Sequence, residues 1–293
     1  MFLSVLKKNQ FLIGSKTVAL LIITFSLTSC SKDGETTYPQ FNKEIVQLPT
    51  HQLTAYKSSS NSTYLVILES GLGDDHSIWN SHHLAEKIAQ KSDVVMYDRA
   101  NYGESDSGPN PRNIDQLRIE LEYVINHFSN GRKVILIGHS LGGLIIRDYA
   151  IKNPTKTAGL LFVDPTHEQY NNPTQELEDY MYTLFSQNFG SNFGGTLEIQ
   201  QLIEDLQYTS SLPNLPDVPM IVLTSMKHDE NNNNSDATYN LTREDWYNAH
   251  ETLGNSISDF THIGTTNSGH YIMTEESNLF LENFDLLFSK INN

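Results

Sequence analysis

Short, continuously apolar runs alternate along this chain with stretches in which apolar residues return every three or four positions. The runs at Glu44–Leu48, Gln52–Tyr56, Tyr64–Leu68, Asp93–Tyr97, Lys133–Ile137, Leu160–Asp164, Met220–Thr224 and Asp259–Ile263 predict strands. The helical spacing predicts helices near Ile78–Ala89, Ile114–Phe128, Leu141–Lys152, Arg243–Leu253 and Glu276–Ser289. Strands apolar on both faces and separated by amphipathic helices argue for an α/β architecture, a mostly parallel eight-stranded sheet with helices on both faces. No helix separates the first two strands, which predicts an antiparallel edge.

The alternation breaks between Asp164 and Pro219. Pro173–Ser186 and Leu197–Tyr208 read as extra helices rich in Tyr, Phe and acids. An insertion at this point in the strand order predicts a helical cap, about residues 167–216, over the strand C-termini, where open α/β sheets bind ligands. A purely decorative excursion is the alternative.

The N-terminal pattern differs. Lys7, Lys8 and Lys16 precede an apolar stretch, Thr17–Thr28, that is short for a membrane span and ends at Leu27-Thr28-Ser29-Cys30. This resembles a bacterial lipoprotein signal, and Cys30 is the only cysteine in the chain. The resemblance implies a signal peptide over residues 1–29, lipidation at Cys30 and a polar tether over 30–41. It places a domain of residues 42–293 outside the cytoplasm, held to a cell-envelope membrane. An uncleaved anchor, or an ordinary signal with a coincidental cysteine, is the alternative. A lone cysteine excludes an internal disulfide.

The formal charge is −16; cleavage before Cys30 removes three lysines and no acids, taking it to −19. No basic surface is available to neutralise phosphates, so nucleic acid is not an expected partner. Asn231-Asn232-Asn233-Asn234 is the one low-complexity tract and reads as a solvated loop.

Candidate chemistry centres on Gly138-His139-Ser140-Leu141-Gly142, between the apolar run Val134–Ile137 and the helical pattern that starts at Leu141. Strand, glycine-flanked serine and helix is the context in which Gly-x-Ser-x-Gly forms a tight turn that presents the Ser140 hydroxyl as a nucleophile at a helix N-terminus. Three more segments accompany it: Glu69-Ser70-Gly71-Leu72-Gly73, Tyr97-Asp98-Arg99-Ala100-Asn101-Tyr102-Gly103-Glu104-Ser105, and Ser268-Gly269-His270-Tyr271. In this order, from about Tyr64 to the C-terminus, the chain resembles the α/β-hydrolase superfamily.

The resemblance implies a catalytic order of Ser, acid, His. His270, in a Gly-rich turn after the final predicted strand, is the expected base. The acid has two candidates. Asp164 stands at the end of Leu160–Val163, before Pro165; Asp229 follows Met220–Thr224 in Ser225-Met226-Lys227-His228-Asp229, which lacks the family's usual Gly-x-x-Asp spacing. Asp164 is preferred, with capping of the next turn as its structural alternative. The oxyanion donors implied are the backbone N–H groups of Leu141 and Leu72; Ser70 stands where relatives commonly carry a loop-bracing histidine. Asp98-Arg99 and Gly103-x-Ser105 read as a structural loop held by an ion pair, and Trp79 as core. His139 is expected to point away from the reacting atom, and His82-His83 to be solvated. Leu72, Tyr102 and the cap aromatics are candidates for lining the pocket. No histidines have metal-ligand spacing, so neither a metal nor a cofactor is expected.

A serine nucleophile argues against the aspartate chemistry of dehalogenases and epoxide hydrolases. The reading is a serine hydrolase of carboxylic esters acting through an acyl-serine. An aminopeptidase-like amide hydrolase is the alternative within this chemistry. An inactive binding lipoprotein on the same fold is the alternative outside it.

Overall fold

The computed structural model describes residues 37–228, 235–236 and 241–292, and Pro39–Asn293 forms one unit. The segment read as a signal peptide, Cys30, most of the stretch read as a tether, Asp229 and the asparagine tract lie outside the described residues. No helix among the described residues is long and apolar enough to cross a membrane.

The strands are β1 (Asn42–Gln47), β2 (Gln52–Ser58), β3 (Leu65–Glu69), β4 (Asp93–Tyr97), β5 (Val134–His139), β6 (Thr157–Val163), β7 (Met220–Ser225) and β8 (Phe260–Thr265). They form one eight-stranded sheet in the order β1-β2-β4-β3-β5-β6-β7-β8. The β1–β2 and β2–β4 pairs are antiparallel and all others parallel, so the antiparallel edge falls where it was expected. A separate two-residue ladder joins Ser235–Asp236 to Leu241–Thr242.

The helices are α1 (Leu84–Ala89), α2 (Ile114–Ser129), α3 (Leu141–Lys152), α4 (Gln175–Phe189), α5 (Gly194–Ile199), α6 (Leu202–Ser210), α7 (Arg243–Glu251), α8 (Ile272–Glu275) and α9 (Ser277–Asn292). Side chains alternate across a sheet, which divides the central strands into two apolar sets. Val66, Leu68, Val94, Met96, Ile135, Ile137, Leu161, Val163, Ile221 and Leu223 pack with α1, α8 and α9. On the opposite face Gly143 of α3 packs towards Phe162, and His250 of α7 bonds Thr224. Each fully buried aliphatic side chain contributes roughly 1.5–3 kcal/mol before entropy is counted.

Two predicted helices are broken. The stripe read as Ile78–Ala89 is a 3-10 segment, His76–His83, followed by α1; Ser81 is extended, and His82 and His83 are left-handed. The apolar period continues across this break because Ile78, Trp79, Leu84, Ala85 and Ile88 all reach one core. The second inserted helix is also divided, into α5 and α6 at Gln200–Gln201. The insert between β6 and β7 therefore carries three helices rather than two.

Candidate active site

β5 ends at His139, α3 begins at Leu141, and Ser140 makes the turn with φ 53° and ψ −120°. That backbone is costly for a residue with a side chain. It is fixed on both sides: Ser140 N–H donates to the Val163 carbonyl (3.2 Å), and its own carbonyl accepts from Gly143 (2.9 Å) and Thr166 (3.0 Å). The flanking glycines allow the close approach. A Cβ at Gly138 would lie 2.7 Å from the Gly142 carbonyl oxygen, and one at Gly142 would lie 2.6 Å from that of Glu69.

β6 delivers Asp164 immediately beyond its last residue, also left-handed at φ 44°. The carboxylate is buried and takes three donors. His270 Nδ1 lies 2.7 Å from Oδ2, while Oδ1 accepts from Ser225 N–H at 2.9 Å and Trp246 Nε1 at 2.7 Å. Burial raises the cost of its charge, but the hydrogen bond and charge of His270 and the Ser225 N–H outweigh that cost. The carboxyl is held below its ordinary value.

His270 lies between β8 and α8, on a loop tied down at several points. Ser225 Oγ donates to the Ser268 carbonyl (2.8 Å), Ser268 Oγ to Glu276 (2.6 Å), and Gly269 N–H to Glu275 (2.8 Å). His139 Nε2 donates to the His270 carbonyl at 3.0 Å, and the two rings lie 4.6 Å apart. His139 thus braces the loop that carries His270. His82 and His83 are exposed, as expected.

Behind Asp164 runs a directed chain of hydrogen bonds. His250 Nε2 donates to the Pro165 carbonyl at 2.7 Å, and burial pushes this histidine down to about 3, so it is neutral. Its Nδ1 must then accept from the Thr224 hydroxyl (2.6 Å), whose oxygen accepts from His262 Nε2 (2.7 Å). His262 Nδ1 in turn faces Glu251 at 2.5 Å. Trp246, His250 and Glu251 all come from α7, whose start is set by a reciprocal Thr242–Asp245 capping box.

The loop after β3 lies directly against the Ser140 turn. A Cβ at Gly71 would meet His139 Nδ1 at 2.9 Å and Ser140 Cβ at 3.1 Å, so Gly71 is what lets the Leu72 peptide come close. Ser70 was read as the loss of a brace, yet its hydroxyl supplies one. It accepts from Trp79 Nε1 and donates to the Asp75 carbonyl, each at 3.1 Å. Trp79 is thus both core and loop anchor.

Asp98 and Arg99 do not form the ion pair expected of them, because each finds a different partner. Asp98 bonds His76 Nδ1 at 2.6 Å, whereas Arg99 is buried between Glu69 and Glu198. Tyr102 is buried, donates to Glu198 (2.6 Å) and accepts from Gly73 N–H (3.1 Å). Among the described residues, Asp75, His76 and Asp98 could bring three ligand atoms within 4.8 Å of one another. Asp98 already accepts from His76 N–H (3.1 Å) and His76 Nδ1 on Oδ1 and from Glu104 N–H (3.0 Å) on Oδ2, so three of its acceptor sites are taken within the protein.

Sequence reasoning brought Ser140, Asp164, His270, Leu72 and Leu141 into view. It missed Trp246, Ser225, Glu198 and the bracing role of His139. The one available signal was the tryptophan of α7, an indole that needs a partner for its N–H when buried.

The family profile described as the alpha/beta hydrolase fold matches residues 64–289. The uncharacterized protein YqjL of Bacillus subtilis is 24% identical over 223 residues, covering 76% of this chain and 82% of its own length. A thermophilic esterase from Thermogutta terrifontis superposes with a TM-score of 0.67 at 17% identity, over 87% of this chain and all of that one. The epoxide hydrolase CorEH gives 0.64 at 12% identity, over 85% and 99%. These structural likenesses extend to the fold. With the family profile spanning the sheet from β3 to α9, this chain is a hydrolase that belongs to the α/β-hydrolase fold family.

Proposed function

We propose that this protein is a serine hydrolase that cleaves a carboxylic ester through an acyl-Ser140 intermediate. The observation that carries the reading is the buried Asp164 carboxylate, 2.7 Å from His270 Nδ1, in a segment whose Val163 and Thr166 bond the backbone of Ser140, itself held in a strained strand-to-helix turn. A serine hydroxyl needs a base to become nucleophilic. His270 takes the Ser140 proton on Nε2 as Oγ attacks the acyl carbon. Asp164 holds Nδ1–H, which keeps the tautomer correct and stabilises the imidazolium. The N–H groups of Leu141 and Leu72 receive the oxyanion. Collapse of the tetrahedral adduct expels the alcohol, which takes the proton from His270. Water then attacks the acyl-serine with His270 again as base, releasing the acid and restoring the enzyme.

The epoxide hydrolase neighbour does not favour its own chemistry here, because the residue in the turn is serine rather than a carboxylate. The N-terminal sequence supports export and lipidation at Cys30, which would put the site at a cell-envelope membrane.

The test is labelling by a fluorophosphonate probe in the wild type and in Ser140→Ala. It is paired with turnover of short- and long-acyl p-nitrophenyl esters and aminoacyl p-nitroanilides. Ser140-dependent labelling with ester turnover supports the reading. Faster anilide turnover would move it to amide hydrolysis, and absence of labelling in folded protein would move it to a binding role.

A further inference from the structure

Arg99 is buried, and all five of its N–H donors are used. Nε donates to Glu198 Oε1 (2.9 Å), and Nη1 to Glu69 Oε1 (3.0 Å) and the Ser70 carbonyl (2.7 Å). Nη2 donates to the Gly71 carbonyl (2.8 Å) and Glu198 Oε2 (3.1 Å). Two of these bonds are to main-chain carbonyls of the loop whose next N–H is that of Leu72. A trans peptide is planar, with its C=O and N–H directed oppositely. Fixing the Gly71 carbonyl on the guanidinium therefore fixes the direction of the Leu72 N–H, on a loop so close to the turn that a Cβ added at Gly71 would lie 3.1 Å from the Ser140 Cβ.

The guanidinium is itself held in place from the insert. Glu198 belongs to α5 and grips Arg99 through both carboxylate oxygens, a geometry that fixes the orientation of the planar fork. Tyr102 closes the same cluster. It donates to Glu198 (2.6 Å), accepts from Gly73 N–H (3.1 Å), and lies with its ring 4.8 Å from the Arg99 guanidinium. Tyr97 donates to Glu69 on the other side. One cation thus sits between two buried carboxylates. Burial and the charge of Glu198 push Glu69 up to about 7 despite Arg99. Removing either partner would leave an uncompensated group in a dry site.

We infer that Arg99 is a positioning residue that aims the Leu72 N–H at the oxyanion, and that Glu198 makes this alignment depend on the seating of the insert. The inference rests on the acyl-Ser140 reading and assigns the insert a part in the chemistry as well as in enclosing the substrate. An insert lifted from the sheet withdraws Glu198, frees the guanidinium to turn, and releases the Gly71–Leu72 peptide. Transition-state stabilisation then falls.

The experiment compares wild type, Glu198→Gln, Glu198→Ala and Arg99→Lys on a p-nitrophenyl ester, with kcat normalised to the Ser140 sites titrated by fluorophosphonate. Loss of one oxyanion donor typically lowers turnover by ~10²–10³. Partial misalignment in Glu198→Gln should lower kcat by about 10- to 100-fold, with KM within about threefold. Glu198→Ala and Arg99→Lys should fall further. Affinity for a trifluoromethyl ketone, whose adduct carries the oxyanion, should weaken by the same factor as kcat. A purely structural role would lower the melting temperature and the titratable fraction but leave kcat per site unchanged. Wild-type kcat and ketone affinity in Glu198→Gln would overturn the inference even if Arg99→Lys does not fold. If Ser140→Ala kept full activity, the acyl-serine reading itself would fail. If Ser140→Ala is inactive while Glu198→Gln is normal, only the role of Arg99 and Glu198 fails.

Discussion

Replacing Asp164 with Asn should abolish base catalysis while leaving the fold in place, for a reason that lies in the direction of three hydrogen bonds. Oδ1 faces two donors, Ser225 N–H at 2.9 Å and Trp246 Nε1–H at 2.7 Å, and Oδ2 faces His270 Nδ1 at 2.7 Å. An asparagine satisfies the two fixed donors only by placing its carbonyl oxygen there. The opposite rotamer would set its NH₂ against both, at about 1–3 kcal/mol for each buried group left unpaired. The favoured rotamer thus points NH₂ at His270 Nδ1, which must become an acceptor and carry its proton on Nε2. That nitrogen can then no longer take the Ser140 proton. The expected loss in kcat/KM is about 10⁴-fold, or ~5.5 kcal/mol of transition-state stabilisation. The assay is ester turnover across pH 5–9 alongside thermal melting, with Asp229→Asn as the companion variant. Asp164→Asn should melt near the wild type because two of its three bonds survive and the third is only reversed, and Asp229→Asn should retain activity. Activity within tenfold of wild type in folded Asp164→Asn would show that Asp164 does not orient His270 and pass the role to Asp229.

Trp246→Phe keeps the ring packing against Tyr170 and His250 but deletes one donor to Asp164. A hydrogen bond to a charged group contributes about 1.5–3 kcal/mol, so steady-state kinetics should show kcat/KM lowered roughly 10- to 100-fold if most of that loss reaches the transition state; an unchanged value would show that Ser225 alone positions the carboxylate. Asp205 is raised to about 8 by burial, against the Ile114 N–H it accepts, with nearby Glu198, Glu204 and Glu178 adding to the rise. The folded chain therefore keeps a proton that the unfolded chain releases above an ordinary aspartate pKa. The associated stability is complete at low pH and is lost as pH rises towards about 8, at about 1.4 kcal/mol per pH unit within the window. Urea melts at pH 5, 6.5 and 8 should show the wild type falling relative to Asp205→Asn; parallel curves would contradict the shift. Cys30→Ala should move the protein from the membrane to the soluble fraction of its host and abolish labelling by a fatty-acid analogue; persistent labelling would place the anchor elsewhere.

The sheet was legible because its central strands are apolar on both faces and short, and because the missing helix between β1 and β2 left only an antiparallel pairing. The Ser140 turn was legible for a different reason. Its glycines are required by backbone contacts under 3 Å, and such a requirement leaves a mark in the sequence. The breaks at His82-His83 and Gln200–Gln201 left no such mark, since the apolar period runs through the first and no proline or glycine stands at the second. Partners were the least legible. Adjacent residues at a strand end point to opposite sides of the sheet, which separated Asp98 from Arg99. Arg99 then met a carboxylate 99 positions away, and Asp164 an indole 82 positions away. Such pairings are chosen by how the insert and α7 pack onto the sheet, and local periodicity carries no record of them.

If Ser140 is the nucleophile, it is acylated during turnover. The direct measurement is intact-mass and peptide mass spectrometry of wild type and Ser140→Ala, acid-quenched within milliseconds of mixing with a p-nitrophenyl ester. An acyl mass increment is expected on the peptide containing Ser140, with a p-nitrophenol burst matching the number of sites, and neither in Ser140→Ala. Steady ester turnover by Ser140→Ala, or an acyl group mapped to another residue in the wild type, would contradict it.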